Sequence, residues 1–165
     1  MLSLGSDVRL HVPVAARWGR GTLQIREGVS LGYAMAPRLG DGAILLQPRG
    51  QDAVIDIGSG TTISNNVALV AMGSIRIGAG CLIGDLVTVY DCDFHEIDPL
   101  RRNEGVGPIE PVEIGNNVWL GSRVMVLRGV TIGDNSVVGA GSVVTRSIPA
   151  NSVAAGVPAR VIRAL

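Results

Sequence analysis

Lysine is absent from this 165-residue chain; all 14 basic residues are arginine. Aromatic residues make up 3% of it and charged residues 17%, the latter well below the roughly 25% of an ordinary globular chain. With only five aromatic side chains, an aromatic-anchored sandwich is not expected. Abundant glycine and the missing lysine argue against a coiled coil. The formal net charge is zero, which speaks against a nucleic-acid binder or an anionic-membrane binder. There are two cysteines, Cys81 and Cys92, in no CxxC or metal-ligand spacing, so reduced thiols are expected rather than a disulfide framework. No apolar run reaches the length of a membrane span, so no stable membrane insertion is expected. The first residues, MLSLGSDVRLHVPV, lack a basic stretch followed by a long apolar one; no export signal is read there, and a cytoplasmic location is expected.

What the chain has is 47% hydrophobic residues, mostly small and aliphatic, and 23 glycines. That content excludes disorder, and the length fits one domain. A search for internal repeats explains the composition. Residues 114–149 fall into six consecutive sixes: IGNNVW, LGSRVM, VLRGVT, IGDNSV, VGAGSV, VTRSIP. Each begins with an aliphatic residue, and the fifth position is always small or β-branched. Helical spacing would place apolar residues at i, i+3, i+4 and i+7; here they recur at i, i+6 and i+12. Each block offers a short β-branched strand followed by a Gly, Asn or Asp turn. Three blocks close a triangular coil of 18 residues, and stacked coils pair their strands in parallel. The first position points inward and the fifth lies near a corner.

The same period recurs upstream with slips, at Ile57, Ile63 and Leu69, at Ile77, Ile83 and Val89, and more weakly at Ile25 and Leu31. It fails between Val89 and Ile114, which predicts a loop thrown out of the coil at about residues 90–113. The expected organisation is a single domain. Residues 1–50 form irregular starting coils and a cap, 54–153 form regular coils, and 156–165 form a tail whose ARVIRAL sequence is expected as a short helix.

The run from Ile114 to Arg163 closely resembles the hexapeptide-repeat acyltransferases, and in spelling the sugar O-acetyltransferases, including those acting on galactosides and maltose. The resemblance covers about residues 54–165. It implies an all-β, left-handed parallel β-helix, although the usual crossover rule favours the right hand. It also implies an enzyme using acetyl-CoA as co-substrate, with no metal, working as a homotrimer with active sites between subunits and a small sugar as acceptor.

Within that resemblance, His95 in DCDFH occupies the interrupting loop where sugar O-acetyltransferases keep their catalytic histidine, 24 residues before Trp119. It is expected to act as general base on the acceptor hydroxyl. Asp93, two residues away on an extended segment, is expected to orient the imidazole. Asp91, Asn65, Asn66 and Trp119 are expected at the acceptor, though either asparagine also suits a plain corner. CoA is anionic, and residues 114–165 carry five arginines against one acid. The resemblance assigns Ser122, Gly139 and Ala140 to the pantetheine arm, and Thr145, Arg146, Arg160 and Arg163 to the nucleotide end. The loop has seven acids against two arginines, which disfavours an anionic acceptor. Alternatives of the same fold are an N-acyltransferase, a serine-acetyltransferase-like enzyme or a non-catalytic assembly protein. A zinc anhydrase of this fold needs three histidines, and the chain has two.

Overall fold

The computed structural model describes residues 1–16 and 20–165. The chain winds as a triangular prism. The first coil holds β1 (Leu2–Leu4), β2 (Arg9–Leu10) and β3 (Val14–Ala15). The second holds β4 (Thr22–Ile25), β5 (Ser30–Leu31) and β6 (Ile44–Pro48), and the third β7 (Val54–Ile57), β8 (Thr62–Ile63) and β9 (Ala68–Ala71). The fourth holds β10 (Ser74–Ile77), β11 (Leu82–Ile83) and β12 (Thr88–Tyr90). After a long loop come β13 (Val112–Ile114), β14 (Trp119–Leu120) and β15 (Met125–Val126), then β16 (Thr131–Ile132), β17 (Val137–Val138) and β18 (Val143–Val144). β19 (Ser152–Gly156) and β20 (Ala159–Ala164) finish the chain.

As far as β18, every third strand joins the same sheet. The first sheet runs β1-β4-β7-β10-β13-β16, the second β2-β5-β8-β11-β14-β17-β19-β20, and the third β3-β6-β9-β12-β15-β18. All pairings are parallel except the last, so the hexad reading of strand order and fold class holds. Ile57, Ile77, Ile114 and Ile132 stack in one ladder, and Ile63, Ile83, Leu120 and Val138 in the next. All are fully or almost fully buried. Small residues line the inside of the corners, where hydroxyls satisfy the backbone. Thr61 Oγ1 donates to the Gly78 carbonyl and accepts from Cys81 N–H. Asn117, Asn135 and Asn151 each turn a corner in the left-handed region, which asparagine tolerates better than most residues. Their amides form a ladder, each Nδ2 donating to the next Oδ1 at 3.0 and 2.9 Å.

Among the described residues of the first 50, β1–β6 join the same three sheets in parallel register, but the coils depart from the 18-residue period, most of all by an insertion between β5 and β6. One expectation needs correction. The ARVIRAL tail is a strand, not a helix: β20 folds back antiparallel on β19. A helix of that length is marginal alone, and Val161 and Ile162 favour extended backbone, which the open edge of β19 can pair.

The outward faces differ. The first sheet carries Gln24, Asp56, Arg76, Glu113 and Thr131 in one row, with Arg26 bidentate on Asp56. The second carries Ser30, Thr62, Leu82, Trp119 and Val137, and the third Ala68, Thr88, Met125 and Val143.

Candidate active site

The predicted loop is real, running from the end of β12 to the start of β13. Its base is a short hairpin in which Cys92 and Ile109 form an antiparallel bridge and Glu110 N–H donates to the Asp91 carbonyl. Asp91 is fully buried beneath it. Its two carboxylate oxygens accept the N–H groups of Met72 and Gly73 at 2.8 and 2.7 Å. It therefore ties the loop to the corner between β9 and β10 and is not offered to an acceptor, contrary to the sequence reading.

Asp93 is also engaged elsewhere. Arg128, on the corner after β15, donates to Asp93 Oδ2 at 2.9 Å and to Glu110 Oε1 at 2.5 Å, bracing both legs of the loop. The two carboxylates and their hydrogen bonds stabilise the charged guanidinium and raise its pKa. Phe94 packs edge-on against Tyr90, with its ring centroid 5.4 Å away, and lies under the Arg49 guanidinium.

The imidazole of His95 is held by the loop's own backbone. Its Nδ1 lies 3.0 Å from the Arg102 carbonyl oxygen. A carbonyl can only accept, so Nδ1 carries the proton and the Nε2 lone pair is left for an incoming hydroxyl. This is the part expected of Asp93. The loop is tightly closed at this point: a Cβ on Gly107, at φ +71°, would lie 2.6 Å from the His95 carbonyl oxygen.

Asn65 and Asn66 part company. Asn65 is fully buried, and its Oδ1 accepts Tyr33 N–H at 3.0 Å. Its Nδ2 donates to the carbonyls of Tyr33, Ala36 and Pro37 at 3.1–3.2 Å. The amide serves the inserted segment between β5 and β6. Asn66 turns the same corner at φ +59°, and its Nδ2 donates to the Pro37 carbonyl at 3.4 Å. Trp119 stands outward on the second sheet and is 54% exposed, beside Leu82 at 53%.

The residues assigned to the cofactor fall on two edges of the prism. Ser122, Gly139 and Ala140 follow the corner between the second and third sheets. Ser122 Oγ donates to the Asp85 carboxylate, and Gly141 N–H donates to the Ser122 carbonyl. Along this corner a Cβ on Gly121 would lie 2.7 Å from Ala140 N, and one on Gly139 would lie 3.0 Å from Ala155 Cβ. The track is smooth and continues to Arg160, which pairs opposite Ala155, with Arg163 further along β20. Among the described residues, the guanidiniums of both bond only to neighbouring backbone carbonyls. Thr145 and Arg146 are exposed on the other edge, after β18. The anchors of the His95 loop named above lie on the third sheet or at the corner following it. Thus Thr145, Arg146 and the base of the His95 loop are separated from Trp119, Ser122 and Gly139 by the width of the third sheet.

Arg128, Glu110, Asp85, Arg49 and Tyr33 were not singled out as site residues from sequence. Arg128 carried a usable signal, a charge interrupting the aliphatic block VLRGVT, and Tyr33 another, a rare aromatic beside a broken repeat.

Three triangular-prism sheets with a histidine loop and a smooth corner track describe a hexapeptide transferase. Residues 111–146 match the family described as bacterial transferase hexapeptide (six repeats). A crystal structure of a hexapeptide-repeat acetyltransferase from Vibrio cholerae O1 biovar eltor, complexed with acetyl coenzyme A, is 34% identical. That likeness covers 84% of this chain and 71% of that one, with a TM-score of 0.65. The chain belongs to the hexapeptide-repeat acetyltransferase family. The galactoside O-acetyltransferase of Escherichia coli (strain K12) is 48% identical over 109 residues, 66% of this chain and 53% of that protein. The chain thus spans about half the length of the curated relatives it matches. The crystal structure of the polySia-specific acetyltransferase NeuO superposes with a TM-score of 0.78 over 99% of this chain and 71% of that one, at 27% identity. The parallel β-helix is the left-handed one of this family.

Proposed function

We propose that the protein transfers an acetyl group from acetyl-CoA to a sugar hydroxyl, with His95 as the general base. The observation that carries this reading is the hydrogen bond from His95 Nδ1 to the Arg102 carbonyl, which leaves Nε2 free to accept a proton. His95 takes the hydroxyl proton as the acceptor oxygen forms its bond to the thioester carbonyl carbon. The carbon–sulfur bond then breaks, and the proton passes from His95 to the departing CoA sulfur.

Acetyl-CoA suits the corner track. Its pantetheine arm suits an edge with short side chains, and Gly121, Gly139 and Ala140 supply one where adjacent coils stack closely. Its phosphates need cations, and Arg146, Arg160 and Arg163 have no carboxylate partner among the described residues. The relatives named for galactoside acetylation support a sugar as acceptor.

The base of the His95 loop and the corner track occupy different edges of one prism, which supports a site completed by a second copy. The second and third faces present apolar rows, while the first is charged. Two sticky faces at an angle close a ring of three, each cleft joining the His95 loop of one copy to the corner track of the next. The two free cysteines, both buried, suit a reducing cytoplasm where acetyl-CoA is made.

The test is release of the CoA thiol from acetyl-CoA with a panel of sugars. His95→Ala is expected to slow turnover by roughly 10²–10⁴-fold, and Arg146→Glu with Arg160→Glu to raise the acetyl-CoA KM. Undiminished turnover in His95→Ala would refute the base assignment. Sedimentation as a single chain would refute the shared cleft.

A further inference from the structure

Tyr33 stands in a part of the chain that the hexad pattern does not describe. The segment from Gly32 to Ala43 leaves the coil between β5 and β6, turning at Gly32 with φ +91°. It is then drawn back: Asn66 N–H donates to the Gly42 carbonyl, and the buried amide of Asn65 binds both backbone groups of Tyr33 and the carbonyls of Ala36 and Pro37. A fully buried, fully used amide is a large commitment to one loop position. What it fixes is the backbone at Tyr33, whose side chain stands 54% exposed.

That side chain lines a shallow depression on the second sheet together with Thr62, Ser64, Leu82, Gly84 and Trp119. Its walls are mostly apolar, and none of these residues is charged. Two half-exposed aromatic rings and Leu82 give it apolar surfaces; Thr62, Ser64 and the phenol add hydroxyls. The depression also has a defined neighbour. Gly84 abuts the smooth track, since a Cβ there would lie 2.6 Å from Ser122 N. A CoA arm running from β20 past Gly139 and Ser122 would end at Gly84 and Trp119. The next step in the same direction is Ser64, Thr62 and Tyr33, where the acceptor would sit.

We propose that Tyr33 determines acceptor specificity by covering one face of a neutral pyranose ring, and that Asn65 is the positioning residue that holds it. The inference rests on the acetyltransferase reading above. A pyranose has the matching chemistry, with an axial C–H face for an aromatic ring and equatorial hydroxyls for Thr62 and Ser64. Asn65 thereby acts on the acceptor through Tyr33 rather than by touching it.

The experiment uses methyl β-D-galactopyranoside and maltose as probes, with binding read by saturation-transfer NMR in the presence of CoA and turnover read by thiol release. Tyr33→Ala is expected to raise the acceptor KM roughly tenfold or more and to abolish saturation of the sugar, leaving the acetyl-CoA KM unchanged as a sign of intact folding. Tyr33→Phe keeps the ring and should keep most of the binding. Asn65→Ala should reproduce the Tyr33→Ala defect, and the double variant should be no worse than either single one. Equal sugar binding in Tyr33→Ala overturns the proposal while leaving the acetyltransferase reading intact. Absence of pyranoside binding in the wild type overturns it as well. Tyr33-dependent sugar binding without turnover would support it and remove the enzymatic reading instead.

Discussion

Replacing Asp91 by alanine tests whether this buried carboxylate serves the fold or the acceptor. Two charge-assisted hydrogen bonds disappear, at 2.8 Å from Met72 N–H and 2.7 Å from Gly73 N–H, both at a corner covered by the loop. An unsatisfied buried donor costs about 1–3 kcal/mol. Met72 and Gly73 are only partly buried, so water can relieve some of that cost. The expected loss is therefore about 2–4 kcal/mol for the pair. For a chain of this size that lowers Tm by roughly 5–15 °C. Asp91→Asn keeps one acceptor and should lose about half as much. Urea unfolding followed by circular dichroism measures the change, at one fixed protein concentration because assembly adds to apparent stability. A stability change below about 0.5 kcal/mol, together with a raised acceptor KM, would refute the reasoning and return Asp91 to the acceptor site.

Arg128→Ala should free the loop: trypsin should cut faster at Arg101 and Arg102, and kcat should fall several-fold with the acetyl-CoA KM unchanged. Global stability should drop by no more than about 1 kcal/mol because both carboxylate partners are substantially exposed; unaltered proteolysis and kcat would exclude the brace. Burial pushes the Cys81 thiol above its ordinary value. A raised folded-state pKa leaves stability undiminished below the ordinary thiol value of about 8.5 and erodes it as pH climbs through and beyond that value. Urea midpoints at pH 7.5 and 9.5 should therefore fall apart in the wild type and approach each other in Cys81→Ala.

The fold was legible because its period is strict where it matters. Ile114, Leu120 and Val126 start three consecutive sixes and end three successive strands. The tail misled because Ala159–Ala164 has no period of its own, and its conformation comes from an edge supplied by β19. In the site, His95 was legible from its resemblance, but its partner was not. The Arg102 carbonyl that holds it is a backbone group, and every residue carries one, so no spelling marks it. Asp93 was two residues away and of the right chemistry, yet Arg128, 35 residues downstream, claims it. Asn65 was read, like Asn66, as an acceptor or corner residue, because its service to Tyr33 depends on how an insertion 28–32 residues earlier folds back.

The asparagine ladder marks a unit of manufacture. Asn117 and Asn135 lie one coil apart, and the strand pairs between those coils keep a constant offset of 18 residues on all three sheets. A segment such as 117–134 therefore begins and ends with the same backbone geometry and the same amide contact. Copying it in tandem would lengthen the prism by one strand spacing, about 4.8 Å, and shift nothing sideways. Coils of other lengths keep the ladders by absorbing the difference at a corner: the coil that begins with β7 is two residues longer, yet Ile57 still stacks on Ile77. The repeat can grow in whole coils, and the loops are what distinguish one coil from the next.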